Sequence, residues 1–278
     1  MKFAGVFLVV LGILAVILAA GCTVPGTRPE ARSEVTDLSA ALDRFTTGTN
    51  TTLQGTDRAL ASAVADLGRT GISGPEANAT LGRIATSLPL TEDAITISAE
   101  GRIAAVMPEK YRGAVGVYVG NESHNRQALQ EKKPLMSPVF PAAEGFDAVS
   151  IRWPVMDETG EYLGLVSVLV DPQRLLAEQA DRELAGTPYT AWATDTDGRL
   201  IYDRDPTDLV GRNMLTDPVF ANYPELVALA TRVTVEPTGS GTYTFTPGGG
   251  GSPVRKEAVW ATTGLHGTEW RLVVAREV

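Results

Sequence analysis

Around Pro89 the spacing of apolar residues changes, and that change divides the chain into two kinds of structure. Before it, Val35, Leu38, Leu42 and Phe45 recur at three- and four-residue intervals, and Leu53, Leu60, Val64 and Leu67 carry the stripe onward. One face of an α-helix has this period. Ser33 or Thr36 can cap its start. The run Thr46–Thr52 is weak in helix formers, so a continuous helix there must be held by packing. Gly71-Ile72-Ser73-Gly74-Pro75 breaks the pattern, and Leu81, Ile84 and Leu88 mark a shorter second helix. Residues 33–90 are therefore expected to form a helical stalk.

Beyond Pro89 the period falls towards two, the spacing of half-buried strands. Ala94–Ile97, Gly101–Val106 and Gly116–Val119 read as short strands, followed by a polar, helix-compatible segment from Glu122 to Lys133. Ala148–Val155 and Tyr162–Val170 are further strands, joined by the turn chemistry of Asp157-Glu158-Thr159-Gly160-Glu161. Asp171-Pro172 opens a helix, with Asp171 at its N-cap and Pro172 in its first turn. The second half repeats the plan. Tyr189–Thr194 and Arg199–Tyr202 flank the turn Asp195-Thr196-Asp197-Gly198, and a helical stretch runs from Asp217 to Arg232. Gly241–Phe245 and Ala258–Ala261 form a hairpin around the Gly248–Gly251 loop, and Trp270–Ala275 closes the sheet. The expected fold class is α+β: a long N-terminal helix followed by two antiparallel-sheet modules, 91–178 and 179–278, whose element order is similar to that of PAS domains.

The amino terminus carries a different signal. Met1-Lys2 precedes an uncharged apolar run from Phe3 to Gly21. One positive charge, an apolar stretch and a small-residue exit make a secretory leader. The same run is just long enough to span a bilayer, which takes roughly 20 residues. It ends Leu18-Ala19-Ala20-Gly21 before Cys22, the single cysteine of the chain, so a disulfide scaffold is excluded. That ending resembles a lipobox, in which a leader is cut ahead of a cysteine that then carries lipid. The expectation is a lipoprotein signal peptide over 1–21, lipid attachment at Cys22 and a flexible tether over 22–32. The other reading keeps the run as a transmembrane anchor. Both leave the remainder facing the exterior at the cell membrane, with the positive residue on the short inner side. Asn50, Asn78 and Asn121 begin Asn-x-Ser/Thr sequons, candidate glycosylation acceptors in an exported chain.

Charge and motif content exclude other classes. A net charge of −9 over 278 residues is unsuited to nucleic acid, because there is no basic surface to neutralise phosphates. Two histidines leave little for a Ser-His-Asp triad or a histidine metal site, and no phosphate-binding loop is present. Asp195-Thr196-Asp197-Gly198 matches the start of a calcium loop. The twelfth position is Pro206 where that loop needs a glutamate, so a hairpin turn is expected. No cofactor, metal or enzymatic activity is expected; a carboxylate-only hydrolase has no residue pair to single it out.

Over residues 33–278 the chain resembles the double Cache family of extracellular sensor domains. The likeness rests on Thr194–Asp203, Leu209-Val210-Gly211-Arg212-Asn213 and Glu269–Val274 in the second module, and on Pro154-Val155, Gly160 and Gly164–Asp171 in the first. It implies a small molecule bound in the pocket of one module, usually the membrane-distal one, here 91–178, with 179–278 membrane-proximal. Members that bind amino acids hold the ligand amine with an aspartate at the end of the module's last strand, matched here by Asp171. They hold the carboxylate through an Arg-x-Trp-Tyr pattern that this sequence lacks. Tyr111, Arg112, Tyr118, His124 and Arg126 are the nearest substitutes. Arg152 alternates with Ile151 and Trp153, so one sheet face carries its guanidinium. That face either meets solvent or supplies the cation that a desolvated carboxylate requires, a role also open to Arg126. Asp171 has a second reading as a helix cap. The expected protein is a lipid-anchored sensor or ligand-binding protein acting through a membrane signalling or transport partner, with the long helix as a homodimer seam. The alternative is a structural or assembly component of the envelope without a ligand, favoured by a wholly apolar interior in both modules.

Overall fold

The computed structural model describes residues 29–205, 209–246 and 252–278, with side chains from residue 37 onward. The expected leader, Cys22, Pro206, Asp208 and the Gly248–Gly251 loop lie outside the described residues. Helix α1 runs Pro29–Thr70 and α2 Gly74–Ser87. The start of α1 lies ahead of the expected Ser33; Pro29 is tolerated there because a first-turn N–H has no intrahelical partner to lose. The threonine-rich middle is held helical by packing on either side, and its hydroxyls are satisfied within the helix. Thr49, Thr51 and Thr52 turn their hydroxyls back onto the carbonyls of Phe45, Thr47 and Gly48. Phe45 and Leu53, on either side, are wholly buried.

The first module comprises β1 (Thr91–Ser98), β2 (Ile103–Met107), a 3₁₀ turn (Glu109–Ala114), α3 (Ser123–Glu131), β3 (Leu135–Met136), β4 (Phe140–Pro141), β5 (Asp147–Met156), β6 (Tyr162–Val170) and α4 (Pro172–Glu183). Its sheet has the order β2-β1-β6-β5-β3, with β4 also on β5. The second module comprises β7 (Thr190–Asp195), β8 (Leu200–Asp203), a 3₁₀ turn (Pro218–Asn222), α5 (Pro224–Val235), β9 (Gly239–Phe245), β10 (Val254–Leu265) and β11 (Thr268–Glu277). Its order, β8-β7-β11-β10-β9, repeats the first: the last strand inserts beside the first strand of the module.

Two local expectations are corrected, and two short strands went unforeseen. Gly116–Val119 makes only an isolated bridge, Arg102 to Tyr118, instead of a strand. The stretch from Asp217 to Arg232 is split, with Pro224 starting a new helix after the 3₁₀ turn. The two-residue strands β3 and β4 were too short to leave any period.

Helix α1 lies across one face of both sheets, and a continuous apolar core joins its Phe45, Leu53 and Leu60 to Val149, Ile151 and Val155 of the first sheet and to Trp270, Leu272 and Val274 of the second. The other two faces are concave and differ sharply. In the second module that face is filled by Trp192, Met214, Phe220, Tyr243 and Trp260 beneath α5. In the first, only Ile97, Leu165 and Ala128 of α3 form a buried apolar centre, with Ile95, Val119, Leu129 and Tyr162 around them. Among the described residues no helix is long and apolar enough to cross a membrane.

Candidate functional site

Strand alternation decides what the first concave face presents. Val149, Ile151 and Val155 of β5 point into the α1 core, so Ser150 and Arg152 point the other way. Thr96 of β1 donates to the Ile72 carbonyl at 2.6 Å on the helical side, which puts Asp93 and Ile95 on the concave side. Across β6, Arg152 pairs in register with Ser167 and Ser150 with Leu169, which in turn neighbours Asp93; on the other flank Arg152 faces Leu135.

Helix α3 covers this face. Ala128 packs on Ile97 and Leu165, and the buried Asn125 donates to the Val119 carbonyl at 2.9 Å and to Glu122 Oε2 at 2.6 Å. His124 stacks on Phe140 of β4 with ring centroids 4.2 Å apart, and its Nε2 lies 3.1 Å from Glu122 Oε2. The cover is thus tied to the sheet edge.

Beneath it the polar groups are not satisfied. Arg152 is 3% exposed, and its Nε and Nη1 have no protein partner. Ser150 Oγ, Asn125 Oδ1 and Tyr162 OH are likewise buried and unanswered. Burial pulls the Arg152 guanidinium down from 12.5 to about 9, with Glu122 opposing the shift, so it remains a cation at physiological pH. Burial pushes the Asp93 carboxyl the other way, up to about 7, helped by the charges of Glu144 and Glu92 and resisted by the Leu169 backbone and Lys110. Buried polar groups normally find partners, because an unpaired one costs roughly 1–3 kcal/mol and a charge more. Several of them on one concave face form a surface built for a polar guest.

The corresponding face of the second module also buries an arginine, Arg271, whose Nε is unpaired, but its Nη1 is held by Glu269 at 2.9 Å. This module's interior cavity is about 30 Å³, room for about two waters, lined by Trp192, Tyr243 and Lys256 among others. The Lys256 ammonium there is already paired with Asp205 at 2.8 Å.

Of the residues singled out from sequence, only Arg152 enters this interior as an unpaired charge. Asp171 accepts from the Arg174 N–H at 3.0 Å and caps α4. Tyr111 donates to Glu92, which Lys110 also contacts at 2.8 Å; these bonds hold the Glu92 carboxyl below its usual range. Arg112 is exposed and paired with Glu109 at 2.8 Å. Tyr118 is half exposed beneath the Arg102 guanidinium, 5.7 Å from the ring centroid. Arg126 is exposed and donates to the Asn121 carbonyl at 2.6 Å. Asn78 and Asn121 are exposed, whereas Asn50 lies on α1 with its Oδ1 accepting from Thr263 at 2.6 Å. Asp195 accepts from the Asp197 and Arg199 N–H groups, as a hairpin turn requires. Among the described residues no cluster of three or more His, Cys, Asp or Glu can hold a metal. Sequence reasoning missed Ser150, Asn125, Tyr162 and Asp93. The alternation from Val149 to Val155 already separated Ser150 and Arg152 from the apolar side; what it did not reveal was that α3 covers them.

Comparison with known proteins places this arrangement. Residues 51–172 match the family described as HK/GC/Chemotaxis protein-like, sensor domain. An extracellular ligand-binding receptor from Desulfohalobium retbaense superposes with a TM-score of 0.73 at 24% identity, over 86% of this chain and 40% of that one. This is a double Cache fold. The ligand-binding domain of the Pseudomonas fluorescens chemoreceptor CtaA, in complex with L-serine, superposes at a TM-score of 0.63 with 14% identity over 88% and 98% of the two chains. That of the Pseudomonas aeruginosa amino acid chemoreceptor PctB, in complex with L-Arg, does so at 0.63 with 14% identity over 90% and 96%. The chain spans about two fifths of the length of the Desulfohalobium receptor. No curated protein sequence matches it.

Proposed function

We propose that this chain is an extracytoplasmic sensor domain that recognises a small molecule in its first Cache module and passes the event to a partner membrane protein, with lipid at Cys22 as its anchor. The observation that carries the reading is the contrast between the two concave faces. The second is packed with aromatic and aliphatic side chains and pairs its buried Arg271 with Glu269, while the first buries Arg152 without an ion-pair partner and leaves atoms of Ser150, Asn125 and Tyr162 unpaired. A spacer without a ligand has no reason to retain a desolvated cation, since apolar replacement of buried charge is commonly neutral or stabilising. The match of 51–172 to a sensor-domain family and the likeness to ligand-bound chemoreceptor domains support the same reading.

The test is a thermal-shift panel of carboxylates, amines and amino acids on the full chain. A ligand at about 100 times its Kd stabilises by about 2.7 kcal/mol, a shift of several degrees. At least one compound class is expected to raise the midpoint; silence across the panel would remove the reading. Lipid attachment is tested separately. Cys22→Ser should release the chain from the membrane fraction, and retention with unchanged mass would refute the anchor.

A further inference from the structure

The charge on the first concave face constrains what can bind there; the inference rests on reading that module as the ligand site. Arg152 rises from β5, with Leu135 on one flank and Ser167 on the other. Glu122, the acid whose charge acts on it, is committed to Asn125 and His124 and forms no ion pair with it. A buried guanidinium with Nε and Nη1 unanswered asks for an anion, and a carboxylate is the matching partner of ordinary metabolite size. Ser150, two residues along the strand on the same face, offers a free hydroxyl about 7 Å away, within the span of a small molecule.

The opposite charge is poorly provided for. Asp171, the residue that family likeness matches to an amine-holding aspartate, is engaged by the first turn of α4. Asp93 lies on β1, with β6 between it and β5. It is buried beside Glu144 and Glu92, and the Leu169 backbone already donates to it. On the β5 side of the face Arg152 is therefore an unpaired cation, with the neutral groups of Ser150, Asn125 and Tyr162 as the other unanswered polar groups. We propose that the first module binds a small carboxylate without an α-amino group, its carboxylate seated on Arg152 and a hydroxyl or carbonyl oxygen on Ser150.

The experiment compares the full wild-type chain with Arg152→Met by thermal shift and calorimetric titration, at matched ionic strength. The probes are acetate, lactate, succinate and benzoate; sulfate and phosphate as inorganic anions; and glycine, L-alanine and L-serine as amino acids. At least one carboxylate should raise the wild-type midpoint. Arg152→Met should melt no lower than wild type without ligand, because an unpaired buried charge has been replaced by an apolar chain. Its affinity for that carboxylate should fall roughly 100-fold. Ser150→Ala should weaken binding several-fold with an unchanged midpoint. If Arg152→Met does not fold, Arg152→Lys carries the test: it keeps the charge, loses the planar fork and should bind at least about tenfold more weakly. Wild-type affinity in either arginine variant overturns the assignment. A response to amino acids alone, abolished in Arg152→Met, keeps the first module as the site and overturns the ligand class. A response to sulfate or phosphate alone also overturns the carboxylate. No response to any probe overturns both the class and the module reading.

Discussion

Asp93 is an acid held where its charged form is disfavoured, and that has a measurable sign. Its carboxyl is raised from 3.8 to about 7, so between those values the folded chain holds a proton that the unfolded chain has released. Stability from this group therefore falls as pH rises through the window, by at most about 1.4 kcal/mol per pH unit, and levels off above it. Glu92 and Glu144 reinforce the shift, and Lys110 opposes it. Asp93→Asn should melt with wild type near pH 4 and clearly above it at pH 8, followed by denaturation across pH. A variant that loses stability at pH 8 would mean Asp93 is ionised and paired. Gly164 is constrained by shape instead of charge. It has φ +143°, and a Cβ there would collide with the Ile97 carbonyl oxygen, at the β1 bulge. Gly164→Ala is expected to lower the melting midpoint sharply, and normal stability would show that the bulge can shift.

Strand β5 works through both faces, and its two sides can be tested apart. On the concave side it presents Arg152; on the other, Trp153 donates from Nε1 to Asp57 of α1 at 2.7 Å. The same Asp57 oxygen contacts His266 Nε2 of the second module at 2.6 Å. Trp153→Phe should cost about 1 kcal/mol in denaturant unfolding, the usual worth of one such bond. Helix α4 tests the role of Asp171. Asp171→Ala should also cost about 1 kcal/mol while leaving any ligand response intact, and Asp171→Asn should preserve both. Loss of the response with an unchanged midpoint would return Asp171 to the ligand. At this scale the sequence was informative wherever period was long enough to read. The stripe from Leu38 to Leu67, the β5 alternation and the Asp171-Pro172 helix start are all local patterns. The strands β3 and β4 and the cover of α3 over Arg152 depend on distant contacts such as Phe140 against His124, which no local period encodes. That is why five of the six ligand residues inferred from sequence lie elsewhere: Tyr111, Arg112, Tyr118 and Arg126 in surface or neighbouring contacts, and Asp171 at a helix end.

Across the molecule, α1 makes the two modules one mechanical body. Besides the shared core, Thr268 of β11 donates to the Met136 carbonyl of β3 at 2.6 Å, and Arg199 reaches Asp147 of β5 at 2.5 Å. The strand that carries Arg152 and its neighbour β3 therefore touch the second module directly. Leu53, wholly buried in the core that α1 shares with both sheets, is the simplest probe of this unity. Leu53→Ala should cost about 2–5 kcal/mol and shift secondary-structure and tryptophan signals together; separate transitions would show independent modules. The repeated sheet plan was visible in the spacing of strands and turns. The difference between the interiors of its two copies was not, since it depends on which concave face is filled. Hydrogen–deuterium exchange of the full chain, with and without the strongest compound from the panel, addresses that difference directly. Added protection is expected in residues 119–131 and 147–170, with little change across 239–246 and 254–275. Protection confined to the second module, with the Arg152 strand unaffected, would contradict that expectation.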